Sequence, residues 1–115
     1  MPRSPTTLDV FSAIAEPRRR RVLELLGDGQ EQPVGRLVDR LGWSQPTVSK
    51  HLGVLRAVGL VDVRPEGREH LYRLNGKALR PVHEWTGSFE RFWSTHLDNI
   101  QRRAEEKARR KAKEN

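Results

Sequence analysis

Residues 44–58 combine an apolar stripe with short polar side chains in a pattern typical of a capped helix. The Ser44 hydroxyl can accept a backbone N–H at the helix start, and Pro46 falls in the first turn, where its missing N–H costs little. The apolar stripe consists of Val48, Leu52 and Leu55, and the polar side of Gln45, Thr47, Ser49 and Lys50. Such donors, acceptors and one cation suit base edges and phosphates, so the pattern predicts a helix that enters a DNA groove.

A second helix is predicted immediately upstream of this one. Its apolar residues recur at spacings of three and four, and Gly42 follows them as a residue that tolerates a left-handed helix end. Those apolar residues are Val34, Leu37, Val38 and Leu41. Two short helices joined by about three residues are typical of a helix-turn-helix, whose second helix reads the major groove.

Residues 60–74 predict a β-hairpin after the second helix. Leu60–Arg64 and Glu69–Leu74 have strand character, and Pro65–Gly67 fits a type I turn. Arg64 and Arg68 would then lie near the tip of this wing. We expect them to reach the DNA backbone or the minor groove.

The composition limits the functions open to the chain. With 115 residues it can bury one core, and a net charge of +7 with a pI near 10.8 indicates a polyanionic partner. It has no cysteine, hence no disulfide or thiolate metal site, and no apolar run long enough to span a membrane. The N-terminus lacks the apolar stretch of a signal peptide, so we expect a soluble, cytoplasmic protein.

The N-terminal part predicts a flexible arm, residues 1–7, followed by two helices. Thr6 or Thr7 would cap the first helix, and Pro17 would open the second. Four arginines, Arg18–Arg21, crowd the start of that second helix and oppose its macrodipole. A nearby phosphate would relieve this cost, which makes Arg18 a candidate DNA contact, although a solvated basic face explains the run equally well.

A long helix is predicted from about residue 80 onward. It holds a stripe rich in aromatic residues, more than the core of a small domain can accommodate. We therefore expect a homodimer interface, the alternative being a stripe that covers the monomer's own core. The expected interface residues are Leu8, Phe11, Val82, Trp85, Phe89, Phe92, Trp93, Leu97 and Ile100. Residues 101–115 would form a basic extension that either adds nonspecific DNA attraction or is simply solvated.

These features together resemble the ArsR-type winged helix-turn-helix repressors, named for bacterial arsenic-responsive regulators. The resemblance covers residues 8–100 and is carried by six stretches. They are Phe11–Leu26, Leu37–Gly42, Ser44–Leu52, Leu55–Arg56, Gly59–Val61 and Gly67–Leu74. It implies a mainly α fold of five helices plus a two-stranded wing, a dimer formed by the first and last helices, and repression relieved by a signal.

The metal sites known in this family are missing from the sequence. Where many members have cysteines this chain has Pro33 and Gly35, which cannot ligate through a side chain. A second family site would fall near His83 and His96, but these residues are thirteen apart and point to different faces of a helix. The chain thus resembles a branch without metal ligands. We expect no cofactor, and the sequence indicates no small-molecule or metal inducer.

The sequence therefore predicts a dimeric repressor that binds an inverted repeat in double-stranded DNA, with no membrane partner. The expected DNA contacts are Arg18, Ser44, Gln45, Pro46, Thr47, Ser49, Lys50, His51, Arg64 and Arg68. Gln45, Thr47 and Ser49 would read base edges, while Lys50 and His51 would hold phosphates. The alternative is a winged-helix adaptor or nonspecific nucleic-acid-binding protein without sequence readout. An enzyme is disfavoured because the sequence shows no phosphate loop or catalytic grouping.

Overall fold

Helices dominate the protein in a computed structural model that describes residues 8–114. The elements in chain order are α1 (Val10–Ile14), α2 (Pro17–Leu25), β1 (Gln32–Pro33), α3 (Val34–Leu41), α4 (Gln45–Ala57), β2 (Val61–Glu66), β3 (Glu69–Leu74), a 3-10 helix (Gly76–Leu79), α5 (Arg80–Gly87) and α6 (Glu90–Glu114). The chain divides after Val82 into two compact units. The predicted class, mainly α with a small β-hairpin, is confirmed. The predicted arm, residues 1–7, lies outside the described residues.

The core of the first unit is built by the stripes that the sequence predicted. Its largest fully buried side chains lie in α2, α3, α4 and β2 or directly beside these elements, and each contributes about 1.5–3 kcal/mol of burial free energy. They are Val22, Leu26, Leu37, Val48, Leu52, Leu55, Leu60 and Val61. Because three of these residues belong to α4, the core determines which side of α4 faces outward.

The turn between α3 and α4 uses the expected signals. Gly42 ends α3 with φ of 71°, and its N–H donates to the carbonyl of Val38 at 2.8 Å. Ser44 caps α4 by accepting the Thr47 N–H at 3.3 Å, and Pro46 lies in the first turn. Asp9, not Thr6 or Thr7, caps α1, where its carboxylate accepts the Ser12 N–H and the Ser12 hydroxyl accepts the Asp9 N–H.

The hairpin differs from the prediction in two respects. First, Pro65 lies within β2, opposite His70, and the turn consists of Gly67 and Arg68, with φ of 61° at Gly67. A glycine with positive φ at the first position of a two-residue turn suits a hairpin, and β2 is an edge strand, where proline is tolerated. Second, the wing has a third strand, because β1 pairs with β3 antiparallel.

The C-terminal helical region is also divided, so the described residues contain six α-helices where five were expected. The chain leaves helical geometry at Ser88 and Phe89, directly after Gly87. The Ser88 hydroxyl donates to the carbonyl of Trp85 at 2.6 Å and the Thr86 hydroxyl to that of His83 at 3.1 Å. These side chains compete with the backbone for helical hydrogen bonds, which favours a break.

His51 is part of the core and not of the exposed face of α4. Its side chain is only 6% exposed, and its Nδ1 has no hydrogen-bond partner among the residues the structure describes. The ring meets the edge of Trp43 with 6.1 Å between ring centroids. Burial lowers the pKa of His51 and the positive charge of Arg19 lowers it further, whereas Glu16 opposes this effect.

The buried imidazole predicts a pH-dependent stability. Because the pKa of His51 is lower in the folded chain than in the unfolded chain, the unfolded chain binds more protons as the pH falls. This contribution to stability is complete above the unfolded pKa of about 6.5 and is lost, by up to about 1.4 kcal/mol per pH unit, as the pH falls through it.

Urea unfolding at pH 7.5 and 5.5 measures this effect. We expect the wild-type chain to lose more stability between the two pH values than His51→Leu or His51→Gln, neither of which can take up the proton. An NMR titration of the His51 ring at or above about 6.5 would contradict the expected shift.

Candidate nucleic-acid interface

The outward side of α4 presents the polar groups predicted to meet DNA. Gln45, Ser49 and Lys50 are exposed, and their side chains form no hydrogen bond within residues 8–114. Thr47 is half-buried, and its hydroxyl lies 2.8 Å from the Ser44 hydroxyl. Ser44 and Thr47 therefore form the N-terminal cap of α4, whereas the side chains of Gln45, Ser49 and Lys50 are available to a ligand.

A cleft connects this end of α4 with the wing. Its volume is about 330 Å³, and α3, α4 and β3 all contribute to its walls. The lining residues are Pro33, Val34, Gly35, Gln45, Ser49, Arg68, Glu69, His70 and Tyr72. Gln45 and Ser49, two of the three helix residues predicted to read bases, thus share one concave surface with Arg68 of the wing.

His70 and Tyr72 are members of this surface that the sequence reasoning did not assign. They follow Arg68 at spacings of two along β3, and side chains at that spacing point to the same face of a strand. The alternation of Arg68, His70 and Tyr72 was therefore the signal that could have found them. Both rings carry polar atoms able to bond a phosphate or a base edge.

His51 is buried and does not lie on the outward side of α4, where the sequence prediction placed it. Its ring packs beside Trp43 and leaves little surface for a phosphate contact. Lys50, the preceding residue, is exposed and remains a candidate phosphate contact.

Arg64 has a structural ion pair that the sequence did not reveal. Its guanidinium donates to both carboxylate oxygens of Glu31, at 3.1 and 2.6 Å, and to Glu66 at 2.8 Å. These bonds lower the pKa of Glu31 and raise that of Arg64. Arg64 also lies opposite Leu71, away from the hairpin tip. Of the two wing arginines expected at DNA, Arg68 lies in the turn and forms no ion pair among the described residues.

The arginine run at the start of α2 is used largely within the fold. Arg19 donates to the carbonyls of Ala13 and Ser12, and Arg20 to those of Ile14 and Ala15. These carbonyls lie at the C-terminal end of α1, where cations are favourable. The macrodipole cost expected from the sequence is thereby offset within the protein.

The other two arginines of the run have different surroundings. Arg21 pairs with Glu24 at 3.1 Å, an exposed contact that contributes little. Arg18 is exposed, and its guanidinium carbon lies 5.9 Å from the ring centroid of Trp43. Because Trp43 precedes α4, Arg18 is the member of the run placed beside the recognition helix.

The aromatic stripe is exposed in the second unit. Phe92 and Leu97 are 68% and 60% exposed, and no residue of α6 whose side chain is described is buried. Phe89, Trp93 and Ile100 are also exposed, as are Trp85 of α5 and, in the first unit, Leu8 and Phe11, whereas Val82 is half-buried. An apolar surface of this kind on a single chain marks an interaction site.

Within residues 8–114, no three His, Asp or Glu side chains are grouped so that they could hold a metal ion. No described helix is both long and apolar enough to cross a membrane.

Known proteins show the same arrangement of elements. Residues 14–64 match the family described as helix-turn-helix domain. The transcriptional repressor SdpR of Bacillus subtilis is 31% identical over 81 residues, which cover 70% of this chain and 89% of the relative. An ArsR-like transcriptional regulator from Rhodococcus sp. RHA1 superimposes with a TM-score of 0.61 at 32% identity, covering 81% of this chain and 87% of that one.

A third relative is the winged helix-turn-helix DNA-binding domain of a possible ArsR-family regulator from Mycobacterium bovis, described as homodimeric in solution. It matches with a TM-score of 0.58 and 30% identity, covering 70% of this chain and 74% of that one. With the winged fold and the exposed polar side of α4, these matches show that the chain belongs to the ArsR family of winged helix-turn-helix proteins, which are DNA-binding transcriptional regulators and not enzymes.

Proposed function

We propose that this protein is a dimeric repressor that reads an inverted-repeat operator with α4 and the wing. The observation that carries the proposal is the shared cleft, in which Gln45 and Ser49 of α4 and Arg68 of the wing line one surface. A base-reading helix and a backbone-holding wing must act on the same DNA segment, and this surface supplies both. That the B. subtilis relative is named a repressor supports the direction of regulation.

The side chains divide into two roles. Gln45 pairs with adenine or another base edge, Ser49 and Thr47 add shorter contacts, and Pro46 packs against a thymine methyl. Lys50, Arg18 and Arg68 hold phosphates and thereby set the position of α4 in the groove. Arg64 forms salt bridges with Glu31 and Glu66, and the first of these fixes β2 to the segment before β1. Arg64 therefore affects DNA binding only through the position of the wing.

The dimer forms through the exposed aromatic stripe of α5 and α6, together with Leu8, Phe11 and Val82. Large aromatic side chains supply most of the binding energy at interface centres, and here they are exposed in the single chain. The homodimeric state of the M. bovis relative supports this assembly. A two-fold dimer places two α4 helices about 34–36 Å apart, one turn of DNA. The stripe ends at Ile100, so residues 101–115 extend beyond the dimerising part.

Selection of bound sequences from a random duplex pool tests the proposal as a whole. At about physiological salt we expect an inverted repeat with half-site centres about 10–11 base pairs apart, or a multiple of that turn. Recovery of no motif, with binding that collapses as salt rises, would instead leave an adaptor or a nonspecific nucleic-acid-binding protein.

The division of roles is tested by two substitutions on the selected operator and on random DNA. Gln45→Ala should cost about 1–3 kcal/mol of binding free energy on the operator and little on random DNA, because it removes a base contact. Arg68→Ala should weaken both and reduce the slope of log K against log salt by about one. Gln30→Ala, an exposed loop change, is the control. Identical behaviour of Gln45→Ala and Arg68→Ala would contradict the assigned roles.

The dimer interface is tested by Leu97→Asp. A charge buried within the stripe should weaken dimerisation by about 2 kcal/mol from each protomer, or about a thousand-fold in all. Sedimentation velocity measures the change, and circular dichroism checks that the chain remains folded. Arg91→Asp, about 120° around α6 from Leu97 and outside the stripe, should leave the dimer intact. A Leu97→Asp chain that sediments as a dimer would place the interface elsewhere.

A further inference from the structure

The last three turns of α6 hold most of the surplus charge of the protein. Residues 102–113 contain seven cationic side chains and two carboxylates, Glu105 and Glu106, which leaves five positive charges in a chain whose net charge is +7. The cationic residues are Arg102, Arg103, Lys107, Arg109, Arg110, Lys111 and Lys113. The polyanion attraction inferred from composition is therefore concentrated at one end of one helix.

These cations share a broad side of the helix. At 3.6 residues per turn they occupy an arc of about 200°, and the alanines lie outside this arc. Ala104, Ala108 and Ala112 follow one another at spacings of four. No bulky apolar residue occurs after Ile100, so this segment has no face able to enter a lipid bilayer or a protein core. Its only strong feature is positive charge.

The cations are also unengaged, which distinguishes them from those of the first unit. Among the described side chains of residues 8–113 none of the seven forms an ion pair, and Arg102 donates to the Asn99 side chain at 3.5 Å. In the first unit Arg19, Arg20 and Arg64 are bonded to carbonyls or carboxylates of the fold. The charge available to a partner is thus greatest on α6.

The cationic side of this helix contains like-charged neighbours whose repulsion a bound anion would relieve. Arg103 and Lys107, Lys107 and Lys111, and Arg109 and Lys113 are like-charged pairs at i, i+4, which destabilise a helix. The segment is about 18 Å long, and a duplex carries one phosphate per about 1.7 Å of its axis. A duplex therefore offers enough phosphates along this length to neutralise several of the cations.

We propose that the end of α6, residues 102–113, is a second duplex-DNA contact that binds phosphates without reading sequence. This proposal rests on the proposed function only in taking duplex DNA as the partner. It does not depend on a specific operator sequence. The contact adds affinity equally to any duplex and makes binding more salt-dependent, while α4 alone supplies the preference for sequence.

The test compares the full chain with the fourfold variant Arg109→Gln, Arg110→Gln, Lys111→Gln, Lys113→Gln. Fluorescence anisotropy over a salt series gives the slope of log K against log salt on the selected operator and on a random duplex. We expect the slope to fall by up to about 3.6 on both duplexes, since each of the four lost phosphate contacts removes about 0.9. The loss of affinity should be the same fold on both.

Two matched variants complete the experiment. Ala108→Gln with Ala112→Gln adds the same side chain outside the cationic arc and should leave the slope unchanged. Glu105→Gln with Glu106→Gln removes the carboxylates and should tighten binding to both duplexes. Circular dichroism confirms that helix content is retained in each.

An unchanged slope in the fourfold variant overturns the inference. If the fourfold variant also loses binding to vesicles containing phosphatidylserine, the segment binds an anionic membrane and not DNA. Failure of the proposed function is distinct: no motif would then be selected and Gln45→Ala would have no sequence-dependent effect, yet the fall in slope would still support this contact.

Discussion

Burial of one side of α4 is the constraint on which the candidate interface depends. Val48, Leu52 and Leu55 are fully or almost fully buried, so the helix has one rotation about its axis that keeps all three in the core. With 3.6 residues per turn, that rotation turns Gln45 and Ser49 outward and toward the wing. The polar groups need no interactions of their own to be positioned, because the apolar groups hold the helix. Gly42 and the Ser44 cap set where the helix begins.

Basic residues are divided between holding the fold and meeting a partner. Arg19 and Arg20 close the C-terminal end of α1, and Arg64 ties β2 to Glu31. Arg18, Lys50 and Arg68 remain exposed around α4 and the wing. A count of charges therefore overstates the DNA-binding surface of the first unit, since part of the charge is neutralised inside it. The location of each cation, more than the total, determines how binding depends on salt.

The sequence predicted local structure well and nonlocal contacts poorly. The α4 stripe, its cap and the Gly42 stop follow from neighbouring residues, and all are present. His51 completes the i, i+3, i+4, i+7 pattern of Val48, Leu52 and Leu55, so its position on α4, and not its polarity, determines that it is buried. The bond of Arg64 to Glu31 joins residues 33 apart and depends on β1, a two-residue strand too short for a periodic signal. Such contacts are set by tertiary packing.

The long helix α6 connects the two proposed assemblies. Its first turns carry the exposed aromatic stripe and its last turns the unengaged cations. A helix end without packing and with like charges at i, i+4 is marginal by itself, and helix propagates most readily from turns that are already fixed. A partner protomer that buries the stripe around Trp93 and Leu97 fixes those turns, and phosphates that neutralise the far end remove its repulsion. In the proposed assemblies, dimerisation and DNA binding would each stabilise the same helix, so each would strengthen the other without direct contact between the two surfaces.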